Sequence, residues 1–145
     1  MIINRDDYIK KLVAKRWNGK VKIITGIRRC GLMENMIFIE LLRRGYSVDV
    51  GMVEVTTIKD GKKQQSQYEI DFIVNTGREK VYIQSALNVD TDAKRAQETF
   101  SLKNSGDFFR KIVIVDGNTK PWTDENGITY AGVTPFLLDE TVLNM

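Results

Sequence analysis

The sequence predicts a mixed α/β domain, a central sheet with helices against its faces. Three observations carry this. Two β-like runs, 68–74 and 80–87, flank a turn-forming Asn75-Thr76-Gly77, so they are expected to pair as antiparallel neighbours. A helical pattern over 92–103 separates run 80–87 from an apolar run at 111–116, and a crossover of that kind makes its two strands parallel. From Leu32 onward the order is helix, three strands, helix, two strands and a short helix, which a mixed sheet flanked by helices satisfies.

Taken in order, 6–17 reads as an amphipathic helix. Tyr8, Ile9, Leu12 and Val13 form its apolar stripe, and Lys10, Lys11, Lys15 and Arg16 cover the rest. Asn4 or Asp6 caps it and Asn18-Gly19 ends it. Residues 20–25 form a short β-branched strand. A helix follows over 32–44, with Glu34 in its first turn and Gly45 as its stop. Residues 46–58 have a long strand pattern, and 59–62 carry a hairpin-turn signal. Residues 63–67 are polar, so the hairpin tip should project into solvent.

Side chains alternate along a strand, which places Glu69, Asp71 and Ile73 on one face and Tyr82, Gln84 and Ala86 on one face. The crossover helix is expected to bury Ala93, Ala96, Phe100 and Leu102, and Asn104-Ser105-Gly106 closes it. Run 111–116 is continuously apolar, as in a strand buried on both sides. Residues 117–127, with Pro121 and Trp122, read as a loop, and 128–133 as a last strand. Pro135 suits the first turn of a short terminal helix.

Composition narrows the chemistry. The 145 residues fit one domain, with 42% hydrophobic and 28% charged residues. No apolar run is long enough to cross a bilayer, and no signal peptide is legible at the N-terminus, so a cytoplasmic location with no membrane partner is expected. The single cysteine, Cys30, fits a reducing compartment. With no histidine there is no Ser-His-Asp triad and no His-containing zinc site. Any metal would be a hard ion on carboxylates, magnesium or manganese. The net charge of +3 leans toward an anionic partner.

Strand 20–25 enters Gly26-Ile27-Arg28-Arg29-Cys30-Gly31, the glycine spacing with which a phosphate-binding P-loop begins. Such a loop needs a lysine and a Ser/Thr hydroxyl next, to reach phosphate and magnesium. Leu32 and Met33 stand there instead. Gly26 and Gly31 are therefore read as a degenerate P-loop, with no bound nucleotide expected.

Two parts of the chain resemble one family: prokaryotic AAA-type ATPases that carry a C-terminal, restriction-endonuclease-like domain of uncharacterised function. Ile3-Asn4-Arg5-Asp6-Asp7-Tyr8, with Lys22-Ile23-Ile24-Thr25-Gly26-Ile27-Arg28-Arg29-Cys30-Gly31, is similar to the start of the ATPase domain. Met33-Glu34-Asn35, Arg43-Arg44-Gly45-Tyr46, Glu69-Ile70-Asp71-Phe72-Ile73-Val74 and Tyr82-Ile83-Gln84-Ser85-Ala86 are similar to the C-terminal domain. The resemblance implies an internally deleted member. Residues 1–31 would be a helix-strand remnant of the P-loop domain, and 32–145 the restriction-endonuclease-like domain with helices flanking a central sheet.

Active members of that fold use a helix glutamate, a strand aspartate and a Glu-x-Lys. The implied matches are Glu34, Asp71, Gln84 and Ala86. Gln84 lacks a carboxylate charge and Ala86 supplies no lysine. Glu34 and Asp71 are left as vestigial metal ligands, and no cofactor is expected beyond Mg²⁺ or Mn²⁺ at such a site. The plain alternative for Asp71 is a strand carboxylate bonded to its neighbours.

The leading expectation is a non-catalytic nuclease-like module, nucleic-acid binding through Arg43, Arg44, Lys59, Lys62 and Lys63, with Arg28 and Arg29. The bland alternative is that these are solvated surface charges. A metal-dependent nuclease with an atypical site, a nucleotide-binding protein and a remnant with no present role stay open. The isolated strand 21–25 and the stripe before it need cover, which points to a docked N-terminal piece, paired either onto the sheet of its own chain or, as the short junction near Gly31 favours, with a second copy in a homodimer.

Overall fold

The computed structural model describes residues 31–59, 62–75 and 79–144. Its sheet has six strands: β1 (Ser47–Lys59), β2 (Lys62–Asn75), β3 (Lys80–Ala86), β4 (Arg110–Val115), β5 (Trp122–Thr123) and β6 (Ile128–Gly132). Their spatial order is β1-β2-β3-β4-β6-β5. The first three strands form an antiparallel meander, β3, β4 and β6 run parallel, and β5 returns antiparallel to β6. The helices are α1 (Leu32–Arg43), α2 (Asp92–Glu98), α3 (Phe100–Lys103) and α4 (Val133–Leu138), followed by a 3-10 turn over Glu140–Asn144. The expected 6–17 helix, the 20–25 strand and the dimer contact assigned to them lie outside the described residues.

Each face of the sheet has its own core. On one, α1, α4 and the 3-10 turn cover Phe72, Val74, Ile83, Ile112 and Ile114, with Ile37, Leu41 and Phe136 between the layers. On the other, Leu102 of α3 packs on Tyr82, Ala86, Val113 and Tyr130. Residues 112–115 of β4 are buried on both sides, as their unbroken apolar run predicts.

Three expectations about elements change. The loop 117–127 contains β5, whose Trp122 ring stacks on Tyr130 at 4.4 Å between centroids. The crossover helix breaks at Thr99, whose hydroxyl donates to the Arg95 carbonyl at 2.7 Å, a back-bond that competes with helix continuation. Its inward side is Arg95, Glu98, Thr99 and Leu102, while Ala93 and Ala96 face solvent. Small alanines fit either side of a helix, so their spacing is a weak guide to burial.

The third change is a β-bulge. Asp49 pairs with Ile73, yet Gly51 pairs with Ile70, so Val50 alone stands opposite Asp71 and Phe72. An extra residue reverses the alternation beyond it. Ile70 therefore joins one core and Phe72 the other, although they are two positions apart. The shared face expected for Glu69, Asp71 and Ile73 is lost for this reason. Gly51 makes the bulge fit, since a Cβ there would lie 2.8 Å from Cδ1 of Ile73 and 3.1 Å from Cβ of Ile70.

Beyond the bulge, β1 and β2 continue past the end of β3 as a two-stranded ribbon with mostly exposed side chains. Tyr68 anchors the ribbon by packing on the Phe100 ring at 4.5 Å between centroids.

An ion cluster fixes the end of α1. Glu40 is buried and accepts from Arg43 at 2.7 Å twice and from Arg44 Nε at 2.7 Å. The Arg44 side chain is only 3% exposed; it lies over the Phe136 ring and donates to the Phe136 carbonyl. Arg43 also reaches Glu140 at 3.1 Å. The hydrogen bonds from Arg43, then the Arg44 guanidinium, hold the Glu40 carboxyl down at about 2 from an ordinary 4.5, against the opposing effect of burial.

A carboxyl depressed in the folded state stabilises it above its unfolded pKa, and that contribution disappears as pH falls toward the folded value. Urea unfolding is therefore expected to show stability declining between pH 4.5 and about 2, partly through Glu40. Glu40→Gln should flatten that slope and cost about 3 kcal/mol at neutral pH, because it strands the buried Arg44 charge. An unchanged slope and midpoint would show that the cluster is not an anchor.

Candidate functional site

The bulge sits at the position where the nuclease comparison looks for a metal. Asp71 is half-buried there, and its Oδ2 accepts from the backbone N–H of Ser85 at 2.8 Å and from the Ser85 hydroxyl at 2.7 Å. The Asp71 N–H points at the side-chain oxygen of Gln84, 3.4 Å away, and the Ser101 hydroxyl approaches the same oxygen at 3.4 Å. The structure thus joins Asp71 to Gln84, as the strand pairing predicts, and adds Ser85 and Ser101. Ser85 follows Gln84 on β3, and a serine beside an expected aspartate–glutamine pair was the signal available for it.

Sequence reasoning missed a second carboxylate here. Glu98, on the inward side of α2, is half-buried, and burial first and then the Asp71 charge push its carboxyl above the usual range. The Asp71 charge thus reaches Glu98 on the inward side of α2. Among the described residues no three His, Cys, Asp or Glu side chains group as a set able to hold a metal ion.

Ala86, at the lysine position, is 3% exposed and packs in the core with Tyr82 and Tyr130. A lysine there would bring its stem into that core. Glu34 lies half-buried in the first turn of α1, one turn before Phe38, whose ring stacks on Phe72 at 6.4 Å between centroids. Gly31 caps α1 with φ −56° and ψ 159°, and nothing lies within 4 Å of a Cβ placed on it, so this position does not require glycine. Gly26 lies outside the described residues.

The expected basic contacts divide. Arg44 is corrected: it is folded inward on Glu40 and Phe136 and offers no guanidinium to a phosphate. Arg43 is 57% exposed but spans Glu40 and Glu140. Lys62 and Lys63 are exposed at the start of β2. The Lys59 side chain, Arg28 and Arg29 lie outside the described residues. Nine of the 22 basic residues and two of the 19 acidic ones precede Gly31, so residues 1–30 carry +7 and residues 31–145 carry −4. The basic excess of the chain therefore lies in residues 1–30.

A cavity of about 420 Å³ opens at the carboxyl ends of β3 and β4, between Val89, Asp90, Arg95, Asp116 and Trp122. Its arginine is already used, donating to the Val89 carbonyl at 3.3 Å and lying over the Trp122 ring at 5.6 Å. Among the described residues no helix is long and apolar enough to cross a membrane.

Residues 30–136 match the family described as Domain of unknown function (DUF4143). The chain belongs to this family. Domains of this family typically occur with AAA ATPase domains. The chain is also similar to an uncharacterised protein of Haemophilus influenzae (strain ATCC 51907 / DSM 11121 / KW20 / Rd), 37% identical over 113 residues. The match covers 78% of this chain and 24% of that protein, so the chain spans about a quarter of the relative it matches. No solved structure matches it.

If Asp71 is a structural pin of this DUF4143 domain, its loss must lower stability. Asp71→Ala leaves the Ser85 N–H and hydroxyl without their acceptor and should cost about 2 kcal/mol by urea unfolding, whereas Asp71→Asn, which keeps one acceptor oxygen, should cost about half as much. A stabilised variant would mean instead that repulsion from Glu98 dominates the site, the mark of a strained functional pair.

Proposed function

We propose that this chain is a non-catalytic module of restriction-endonuclease-like architecture that acts by binding. The observation that carries the reading is the Asp71 carboxylate, which is occupied by two donors of Ser85, with an uncharged Gln84 beside it and a buried Ala86 where a lysine is required. Hydrolysis of a phosphodiester needs a metal-bound or otherwise activated water and positive charge for the developing phosphorane. Neither is supplied by this set of side chains.

The element order supports the nuclease-like ancestry. A helix, an antiparallel three-strand meander, a crossover helix and a strand parallel to the third strand follow one another as that core requires. The family match begins at residue 30, and the family's usual association with AAA ATPase domains supports reading 1–31 as what is left of a P-loop domain ahead of the 32–145 domain. Any nucleic-acid contact would fall to Lys62, Lys63 and the basic first 30 residues, since the rest of the chain carries −4.

One observation favours a second reading, a metal-dependent nuclease with an atypical site. Glu98 lies half-buried on the inward side of α2, and burial first, then the Asp71 charge, push its carboxyl upward, a repulsion that a divalent cation relieves. The test is incubation of the full chain with duplex DNA, single-stranded DNA and RNA in magnesium or manganese. No cleavage above a metal-free control is the expected result. Metal-dependent cleavage abolished by both Asp71→Asn and Glu98→Gln would overturn the proposal in favour of the second reading.

A further inference from the structure

Strand β1 closes one end of the sheet, and among the described residues nothing pairs with its outer edge. Such an edge is a row of backbone N–H and C=O groups open to another strand, and proteins usually blunt it with lysine, proline or a short length. Over 51–58 this edge has none of these. Gly51-Met52-Val53-Glu54-Val55-Thr56-Thr57-Ile58 holds no proline and one charge, and pairs regularly with β2 throughout. That charge is turned back from the edge: the Glu54 carboxylate accepts from Gln65 Nε2 at 2.7 Å and from Gln67 Nε2 at 2.9 Å, both on β2. Met52 is 58% exposed and Ile58 71%. The ribbon here runs past β3 as two strands alone, an arrangement that is marginal in water without a further strand.

We infer that the further strand is β1 of a second copy of this chain, paired antiparallel across a two-fold axis. The edge itself selects this occupant and its register. A two-fold axis normal to the sheet keeps each side chain on its own face, and opposed residues share a face, so the axis passes through a residue and not between two. An axis through Glu54 would oppose two carboxylates. An axis through Val55 sets Met52 against Ile58 of the partner subunit, and Ile58 against Met52 of the partner subunit. It also sets Glu54 against Thr56 of the partner subunit, and Val55 against its own copy. This register alone brings Met52 and Ile58, the exposed large apolar side chains of 51–58, together at both symmetric places, and no carboxylate faces another.

The two ribbons then form four adjacent strands, β2-β1-β1-β2, in place of two separate pairs. Apolar side chains that each ribbon leaves in water are covered on joining. The pairing makes no use of the Asp71 site.

The test is sedimentation of the full chain, with cysteine cross-linking in a Cys30→Ser background. The wild type is expected to be dimeric at tens of micromolar. Met52→Lys and Ile58→Glu, both at exposed positions, should each weaken the dimer at least tenfold, since each sets a charge against an apolar side chain across the seam. Neither harms its own hairpin, where Met52 stands opposite Glu69 and Ile58 opposite Lys63. The double variant Met52→Lys/Ile58→Glu sets opposite charges across the seam and should recover the dimer. Val55→Cys should form an interchain disulfide under mild oxidation, because facing Cα atoms lie about 4.5–5.5 Å apart, within disulfide reach. Val53→Cys should not, since Val53 faces Thr57 of the partner subunit. A wild type that stays monomeric at tens of micromolar overturns the inference, and so does a dimer that Ile58→Glu leaves intact, by placing the contact on another face. A double variant no tighter than the single ones, or Val53→Cys linking in place of Val55→Cys, overturns it through the register.

Discussion

The bulge opposite Val50 is the constraint on which the rest of this domain depends. By placing two residues of β2 against one of β1, it moves Phe72 and Val74 into the core beneath α1 and leaves Ile70 in the core beneath α3. Without it, one of these cores would lose its β2 side chains to the wrong face. The same irregularity frees Asp71 from regular pairing, and Ser85 then closes the gap with two hydrogen bonds to one carboxylate oxygen. The Asp71–Ser85 contact thus belongs to the folding of the sheet as much as to any site on it. A carboxylate used in this way faces donors from its own protein.

Much of the architecture was legible because it follows from local rules. The turn-forming sequence Asn75-Thr76-Gly77 predicted the β2–β3 pairing, and the crossover over 92–103 predicted the parallel β3–β4 pair. The bulge was not legible, since one extra residue leaves no compositional trace in a run such as Glu69-Ile70-Asp71-Phe72. The inward side of the crossover helix was misread because alanine spacing resembles an apolar stripe, while the inward positions hold half-buried Glu98 and buried Thr99. Those two polar residues also hide the neighbour of Asp71. Arg44 could have been found: Glu40 stands four residues before it, the spacing of a helical ion pair. Adjacent Arg43 and Arg44 look alike in sequence, yet a helix turns them about a hundred degrees apart, one toward solvent and one onto Phe136.

Charge distribution changes how the composition is understood. A net charge of +3 suggests an anionic partner, but that average conceals an acidic domain behind a strongly basic N-terminal segment. The described domain buries the Arg44 guanidinium against Glu40 and shows an apolar rather than a basic face on α1. The Haemophilus influenzae protein that the chain resembles is longer, and the match covers 24% of it.

The claim that Asp71 serves the sheet rather than a metal can be tested most directly by titrating Mn²⁺ into the full chain and following amide resonances by NMR. Paramagnetic broadening reports proximity to the ion without requiring turnover. With the Asp71 oxygen committed to Ser85, residues 71, 84, 85 and 98 should broaden no more than exposed carboxylates such as Glu125 and Asp116 at the same Mn²⁺ concentration. Selective broadening of those four at low Mn²⁺, lost in Asp71→Asn, would contradict the account and restore a metal centre at the bulge.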